Sequence, residues 1–168
     1  MGQERLDNEP QITLQELTVE DAGKYFNLIA TNSDHFANFD NMPTDKYKTV
    51  EDVRRIFRNK DDKMRWGIVD KDDTLIGTIN ITPKIFPRSN IAEIGYLVSK
   101  DHTGMGYATE AVKKLARMAS TQYDRLRATT HPENIASQAV LQKTGFIELG
   151  VNEEGDLVFE LELRGGLR

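Results

Sequence analysis

Thr103-Gly104-Met105-Gly106-Tyr107-Ala108-Thr109 is the stretch on which the reading of this chain turns. It follows an apolar, strand-like run, Ile94-Gly95-Tyr96-Leu97-Val98, and opens an amphipathic helix from Ala108 to about Ala119. Two glycines at a strand-to-helix turn let the backbone come close to a ligand. The amides that begin a helix have no internal partners and lie at its positive end, so a turn of this kind can hold a phosphate without a lysine. The plain alternative is a tight turn with no ligand. The stretch is neither the six-position glycine fingerprint of a dinucleotide site nor a P-loop, because no Gly-Lys-Ser/Thr follows.

The rest of the chain sets limits. A length of 168 residues suits one domain with a real core. The net charge of −5 argues against a nucleic-acid partner, since phosphate backbones reward dense Lys and Arg. The absence of cysteine excludes disulfides, thiolate zinc sites and a catalytic thiol. No apolar run approaches the roughly 20 residues of a membrane span. Met1-Gly2-Gln3-Glu4-Arg5-Leu6 has neither a signal-peptide core nor the Ser or Thr that myristoylation wants, so the expected location is cytoplasmic. No His/Asp/Glu spacing suggests a metal, and Asp70 to Asp73 reads as a hairpin tip rather than a calcium loop.

Residues 1–10 are polar and read as a flexible N-terminus, with a single domain over 11–168. Ile12 and Leu14, with Leu17, make a first strand. Thr18 caps a helix bearing Ala22, Tyr25, Phe26 and Ile29 inward. Residues 32–48 show no period. Thr49 caps a second helix with Val53, Ile56 and Phe57 inward. Trp66 to Val69 and Leu75 to Thr82 form a hairpin, Pro83 and Pro87 bound a loop, and Ile91 to Val98 is the strand before the glycine turn. The next helix buries Ala108, Ala111, Val112, Leu115 and Ala119 and pairs Glu110 with Lys114 outside. Leu126, Ala128 and Thr130 alternate as a strand. Asn134 to Thr144 is helical and stops at Gly145; Phe146 to Leu149 and Leu157 to Leu163 close the chain as strands. Helices interleaved with hairpin-linked strands make one mixed α/β domain.

The second informative stretch runs from Asn134 through Ser137 and Leu141 to Lys143-Thr144-Gly145-Phe146. At about 100° per residue, Asn134, Ser137 and Leu141 share one helix face. Read alone, Asn134 is a helix cap and Ser137 a first-turn residue without a duty. The N-x-x-S pattern followed by L-x-K-x-G-F resembles the last helix of the GNAT N-acetyltransferases, in particular the RimJ/RimL-type ribosomal-protein branch. Ala92-Glu93-Ile94-Gly95-Tyr96 followed by Gly104 to Ala111 is similar to that family's central strand and acetyl-CoA loop. Leu75-Ile76-Gly77 and Thr18 to Ala22 also fit, so the resemblance spans nearly all of residues 11–163.

The resemblance implies a GNAT fold, with a mostly antiparallel six- to seven-stranded sheet flanked by about four helices. It also implies acetyl-CoA as cosubstrate. The amides of Thr103, Gly104, Met105, Gly106, Tyr107, Ala108 and Thr109 would hold the diphosphate. The main chain of Leu97, Val98 and Ser99 would run beside the pantetheine, Asn134 would bind that arm, and Ser137 would lie near the sulfur. Two departures stand out. Thr103 replaces the usual Gln or Arg, which removes a side chain but no amide. Leu141 replaces a tyrosine that serves many relatives as acid, which leaves the proton to Ser137 or to water.

Acetyl transfer from a thioester to an amine needs a neutral amine, a held carbonyl and a protonated leaving group, but no protein nucleophile. The carbonyl is expected on a strand amide near Leu97 or Val98. Baring a lysine amine at pH 7 costs about 4.6 kcal/mol, against about 1 to 1.4 kcal/mol for an α-amine. Glu93 is the candidate base, acting through water; its plain alternative is a solvated strand residue. His35 reads as a surface-loop histidine near the acceptor, His102 as a neighbour of the phosphates, and His131 as structural. The expected acceptor is a protein or peptide α-amine. The rivals are a small-molecule amine (a polyamine, an aminoglycoside or an amino acid), and a coenzyme A-binding module without catalysis. A homodimer is the default assembly.

Overall fold

The computed structural model describes residues 9–39, 42–59, 62–86 and 89–163. Seven strands form one sheet in the order β1-β2-β3-β4-β5-β7-β6. They are β1 (Ile12–Glu16), β2 (Met64–Asp70), β3 (Leu75–Phe86), β4 (Ser89–Val98), β5 (Arg125–Thr130), β6 (Ile147–Val151) and β7 (Leu157–Glu162). Every neighbouring pair is antiparallel except β4 and β5. The described helices are α1 (Ala22–Thr31), α2 (Ser33–Phe39), α3 (Val50–Arg58), α4 (Tyr107–Ala119) and α5 (Ile135–Lys143).

Strand alternation sends side chains to two helical layers. Ala92, Ile94 and Val98 of β4 pack with Ile68, Ile79 and Ile81 against Ala111, Val112 and Leu115 of α4. On the other side Leu75 and Leu97 meet Tyr25, Leu28, Ile29, Phe36 and Val53 from the first three helices. Burying Leu115 alone stabilises the fold by about 1.5–3 kcal/mol. The expected inward face of α4 is therefore present, with Ala119 buried as well. Thr49 caps α3 reciprocally with Asp52, its Oγ1 accepting from the Asp52 amide at 3.1 Å.

Three expectations need correction. The unpatterned residues 32–48 contain α2, a seven-residue helix with Phe36 fully buried. Pro83 bounds no loop; it lies within β3, opposite Ala92. The last β2 partner of β3 is Ile81, so Pro83 stands where that flank of β3 is an edge and needs no amide. Glu110 is not on the outer side of α4. It is only 9% exposed, at the helix's N-terminal turn, where the dipole favours a carboxylate. Among the described residues no ion pair joins it to Lys114. Of the segment read as a flexible N-terminus, only Glu9 and Pro10 lie within the described residues. Glu9 pairs with Lys113 at 3.3 Å, and Pro10 lies against Gly106.

Candidate active site

After β4 the chain makes a 3-10 turn, Lys100–His102, closed by the Thr103 hydroxyl donating to the Lys100 carbonyl at 2.9 Å. Gly104 and Gly106 follow with φ of 72° and 86°, left-handed conformations that glycine takes without strain. Gly106 is the residue from which α4 springs. Glu110 has the first α4 amide with a main-chain acceptor, the Gly106 carbonyl at 3.0 Å. Among the described residues, the amides from Gly104 to Thr109 have none. Thr103 to Gly106 are exposed, and a Cβ on Gly104 would meet nothing within 4 Å. These exposed donors lie at the positive end of a 13-residue helix.

The strand leading into this loop parts from its neighbour. β4 pairs with β5 only at Ile91–Glu93 with Arg125–Arg127. Beyond that point β4 remains bonded to β3 through Val98 opposite Gly77. The Ser99 amide donates to the Ile76 carbonyl at 2.8 Å. By strand alternation Leu97's amide also faces β3, while those of Tyr96 and Val98 face the side that β5 has left. Of the two amides expected to hold a carbonyl, Val98's is thus the one directed into the gap.

The far side of the gap is made by α5. The Asn134 side chain caps this helix, its Oδ1 accepting from the Ser137 amide at 3.1 Å. Gly145 stops it with a φ of 94°. Leu141, one turn beyond Ser137, is fully buried. The Ser137 hydroxyl meets Tyr96 of β4, with 2.8 Å between the two side-chain oxygens, and the Tyr96 hydroxyl lies 3.2 Å from the Ser137 carbonyl as donor. Tyr96 is a site residue that motif reading missed: its partner is 41 positions away, and nothing in strand patterning announces it.

Glu93 lies beside the gap, opposite Arg127 of β5, and its carboxylate pairs with Lys84 at 3.4 Å. Arg127 and Arg125 both reach Glu160 of β7 at 2.9 Å, which ties the strands behind Glu93 together. His35 is half-buried on α2, not in a loop. Burial and then the charge of Lys100 hold it below its ordinary value, against an opposing pull from the Val98 main chain. His102 Nδ1 lies 2.6 Å from the Ser99 hydroxyl, and its ring meets Tyr107 edge-on, so it does neighbour the glycine loop. His131 is exposed and accepts from the Glu133 amide at 3.2 Å.

A cavity of about 670 Å³ runs through the gap. Its mouth is lined by Tyr25, Tyr47, Lys46, Lys63 and Arg65, its floor by Asn80 and Glu93 to Leu97, and its far wall by Ala128 to His131, Asn134 and Ser137. The Tyr96–Ser137 hydroxyl pair thus lines the cavity, and the donor-rich loop follows in sequence from the end of the same strand, β4. Among the described residues no cluster of His, Cys, Asp or Glu could hold a metal, and no helix is long and apolar enough to cross a membrane.

Comparison with known proteins identifies the family and the fold. The family model described as an acetyltransferase (GNAT) domain matches residues 11–147. The probable N-acetyltransferase YjcK of Bacillus subtilis is 34% identical over 149 residues, 83% of this chain and 82% of that protein. In fold, the chain is similar to the ribosomal-protein-S5-alanine acetyltransferase of Vibrio fischeri, with a TM-score of 0.81, 19% identity and coverage of 94% and 96%. It is also similar to a spermidine N-acetyltransferase of Vibrio cholerae in complex with CoA and spermine, with a TM-score of 0.77, 18% identity and coverage of 92% and 97%. The chain belongs to the GNAT acetyltransferase family.

Proposed function

We propose that this protein transfers the acetyl group of acetyl-CoA directly to a primary amine, and that the amine is the N-terminal α-amine of a protein or peptide. The parting of β4 from β5 carries the reading, because Tyr96 and Ser137 line the cavity beside it and the same strand runs on into the glycine loop. The residues present suit the cosubstrate. Main-chain donors at Gly104 to Thr109 fit a diphosphate, and the uncovered flank of β4 fits an amide-bearing arm, with Asn134 across from it.

In this reading the Val98 amide holds the thioester carbonyl as charge develops on its oxygen. Glu93 takes the amine proton through water, and Ser137 supplies a proton to the leaving sulfur. The mouth favours a peptide over a polyamine. Among the described residues it carries Lys46, Lys63 and Arg65, against Glu93 and Asp156 elsewhere in the cavity lining, a poor match for a polycation.

Thiol release should be measured with acetyl-CoA and peptides bearing free α-amines, beside spermine and small monoamines. Turnover on the peptides and little on spermine is expected. Turnover confined to small amines would replace the acceptor. Tight coenzyme A binding without turnover on any amine would make the protein a binding module.

A further inference from the structure

An alcohol is a poor proton donor to a thiolate. Ser137 therefore needs a more acidic group behind it, and α5 supplies none: one turn on stands the buried, apolar Leu141. The structure brings such a group from the sheet. The Tyr96 hydroxyl lies 2.8 Å from the Ser137 Oγ, a pair in which either oxygen can donate, and 3.2 Å from the Ser137 carbonyl, to which it can donate instead. A proton relay through Ser137 uses the arrangement in which Tyr96 donates to the nearer Oγ. Tyr96 belongs to the β4 stretch that parts from β5. Its ring packs against the core and its hydroxyl reaches the gap, where Ser137 also lies.

We propose that Tyr96 is the positioning residue and proton source behind Ser137, so that the pair acts as one acid. The inference rests on the acetyl-transfer reading above. The amine nitrogen forms its bond to the acetyl carbon, and the carbon–sulfur bond breaks. Sulfur takes the proton of Ser137 Oγ as Oγ takes that of Tyr96. The resulting tyrosinate is reprotonated by water, and the proton lost by the amine leaves through Glu93 or water. In reference values a phenol near 10 gives its proton to a thiolate whose acid is near 8.5 at a cost of about 2 kcal/mol, far less than an unaided alcohol would need. A donation from Tyr96 also turns the serine's own hydrogen away from the tyrosine and toward the gap.

The test compares wild type, Tyr96→Phe, Ser137→Ala and the double variant, with acetyl-CoA affinity measured by calorimetry beside steady-state kinetics. Tyr96→Phe keeps the ring and should fold. Its kcat should fall about a hundredfold, within the range of a lost general acid, while acetyl-CoA affinity stays within twofold. The double variant should be no slower than Ser137→Ala alone, as expected of groups that act as a unit. A proton inventory should show two protons in flight in wild type and one in Tyr96→Phe. A kcat within twofold of wild type, additive losses, or a loss lying wholly in acetyl-CoA affinity would overturn the relay and leave acetyl transfer standing. A wild type inert with every amine would overturn both.

Discussion

The Cβ that Gly77 lacks would lie 2.3 Å from the carbonyl oxygen of Leu97 and 3.2 Å from Val98 Cα. Main chain cannot yield as a flexible side-chain end can. β3 and β4 are therefore drawn together at Val98, in the stretch of β4 that has already left β5. Gly77→Ala is expected to lower stability by about 1–3 kcal/mol, the usual cost of overpacking. It should also raise the KM for acetyl-CoA by shifting Val98. Urea unfolding with parallel kinetics would show both; a variant of wild-type stability with unchanged KM would contradict the coupling.

Gly104 offers the converse case. Its φ is 72°, but no atom stands within 4 Å of the point a Cβ would occupy. Gly104→Ala should cost only about 1–2 kcal/mol, through left-handed backbone alone. Its methyl would intrude on the space before the loop amides. Coenzyme A affinity is expected to fall about tenfold or more, a penalty above about 1.4 kcal/mol by the usual conversion. Calorimetry reads the affinity, and a melting curve shows that the fold remains.

Glu93 and Lys84 form an exposed pair worth at most about 1 kcal/mol, so Lys84→Ala should leave stability nearly unchanged. Glu93→Gln is expected to reduce kcat/KM about tenfold on an α-amine peptide. The loss should be larger on a lysine ε-amine, whose proton is harder to remove. Equal, small losses on both substrates would remove Glu93 from the proton path.

Glu160 sets an acid limit on stability. Burial alone would push its carboxyl up, but hydrogen bonds from Arg127 and Arg125, with their charges, outweigh burial and hold it below its ordinary value of 4.5. With the folded value depressed, the unfolded chain binds more protons. The stabilisation is present above 4.5 and is lost as pH falls through the folded value. Urea midpoints between about pH 6 and pH 3 should decline in wild type, and Glu160→Gln should flatten that decline. His35 is also depressed, from 6.5, so its contribution is present above 6.5 and fades as pH falls below it.

The sequence carried the parts of this molecule whose signals are local. The α4 stripe, the Thr49–Asp52 cap and the Asn134-to-Gly145 helix each follow from neighbours three or four residues apart. α2 was hidden because seven residues with one deeply buried anchor, Phe36, make no repeat. Pro83 misled because its place depends on where β2 ends, a fact about another strand. Glu110 looked like an outer residue because i,i+4 spacing describes one helix and says nothing of what covers its first turn. In the candidate site, the glycine loop and the Asn134/Ser137 helix were legible as motifs. Tyr96, Lys84 and the cations of the mouth were not, because only the folded sheet and its helices bring them to the slot.

Three register pairs, Ile91–Glu93 with Arg125–Arg127, and one further main-chain bond from Asp124 to Asn90 fasten strands β1 to β4 to strands β5 to β7. A sheet so thinly stitched is two leaves with a common spine. A guest lying along the seam would act as a rivet, adding fastenings that the polypeptide leaves out. Occupancy would then be felt as stiffness across the whole molecule as well as contact at the slot, and unloading would let the leaves breathe.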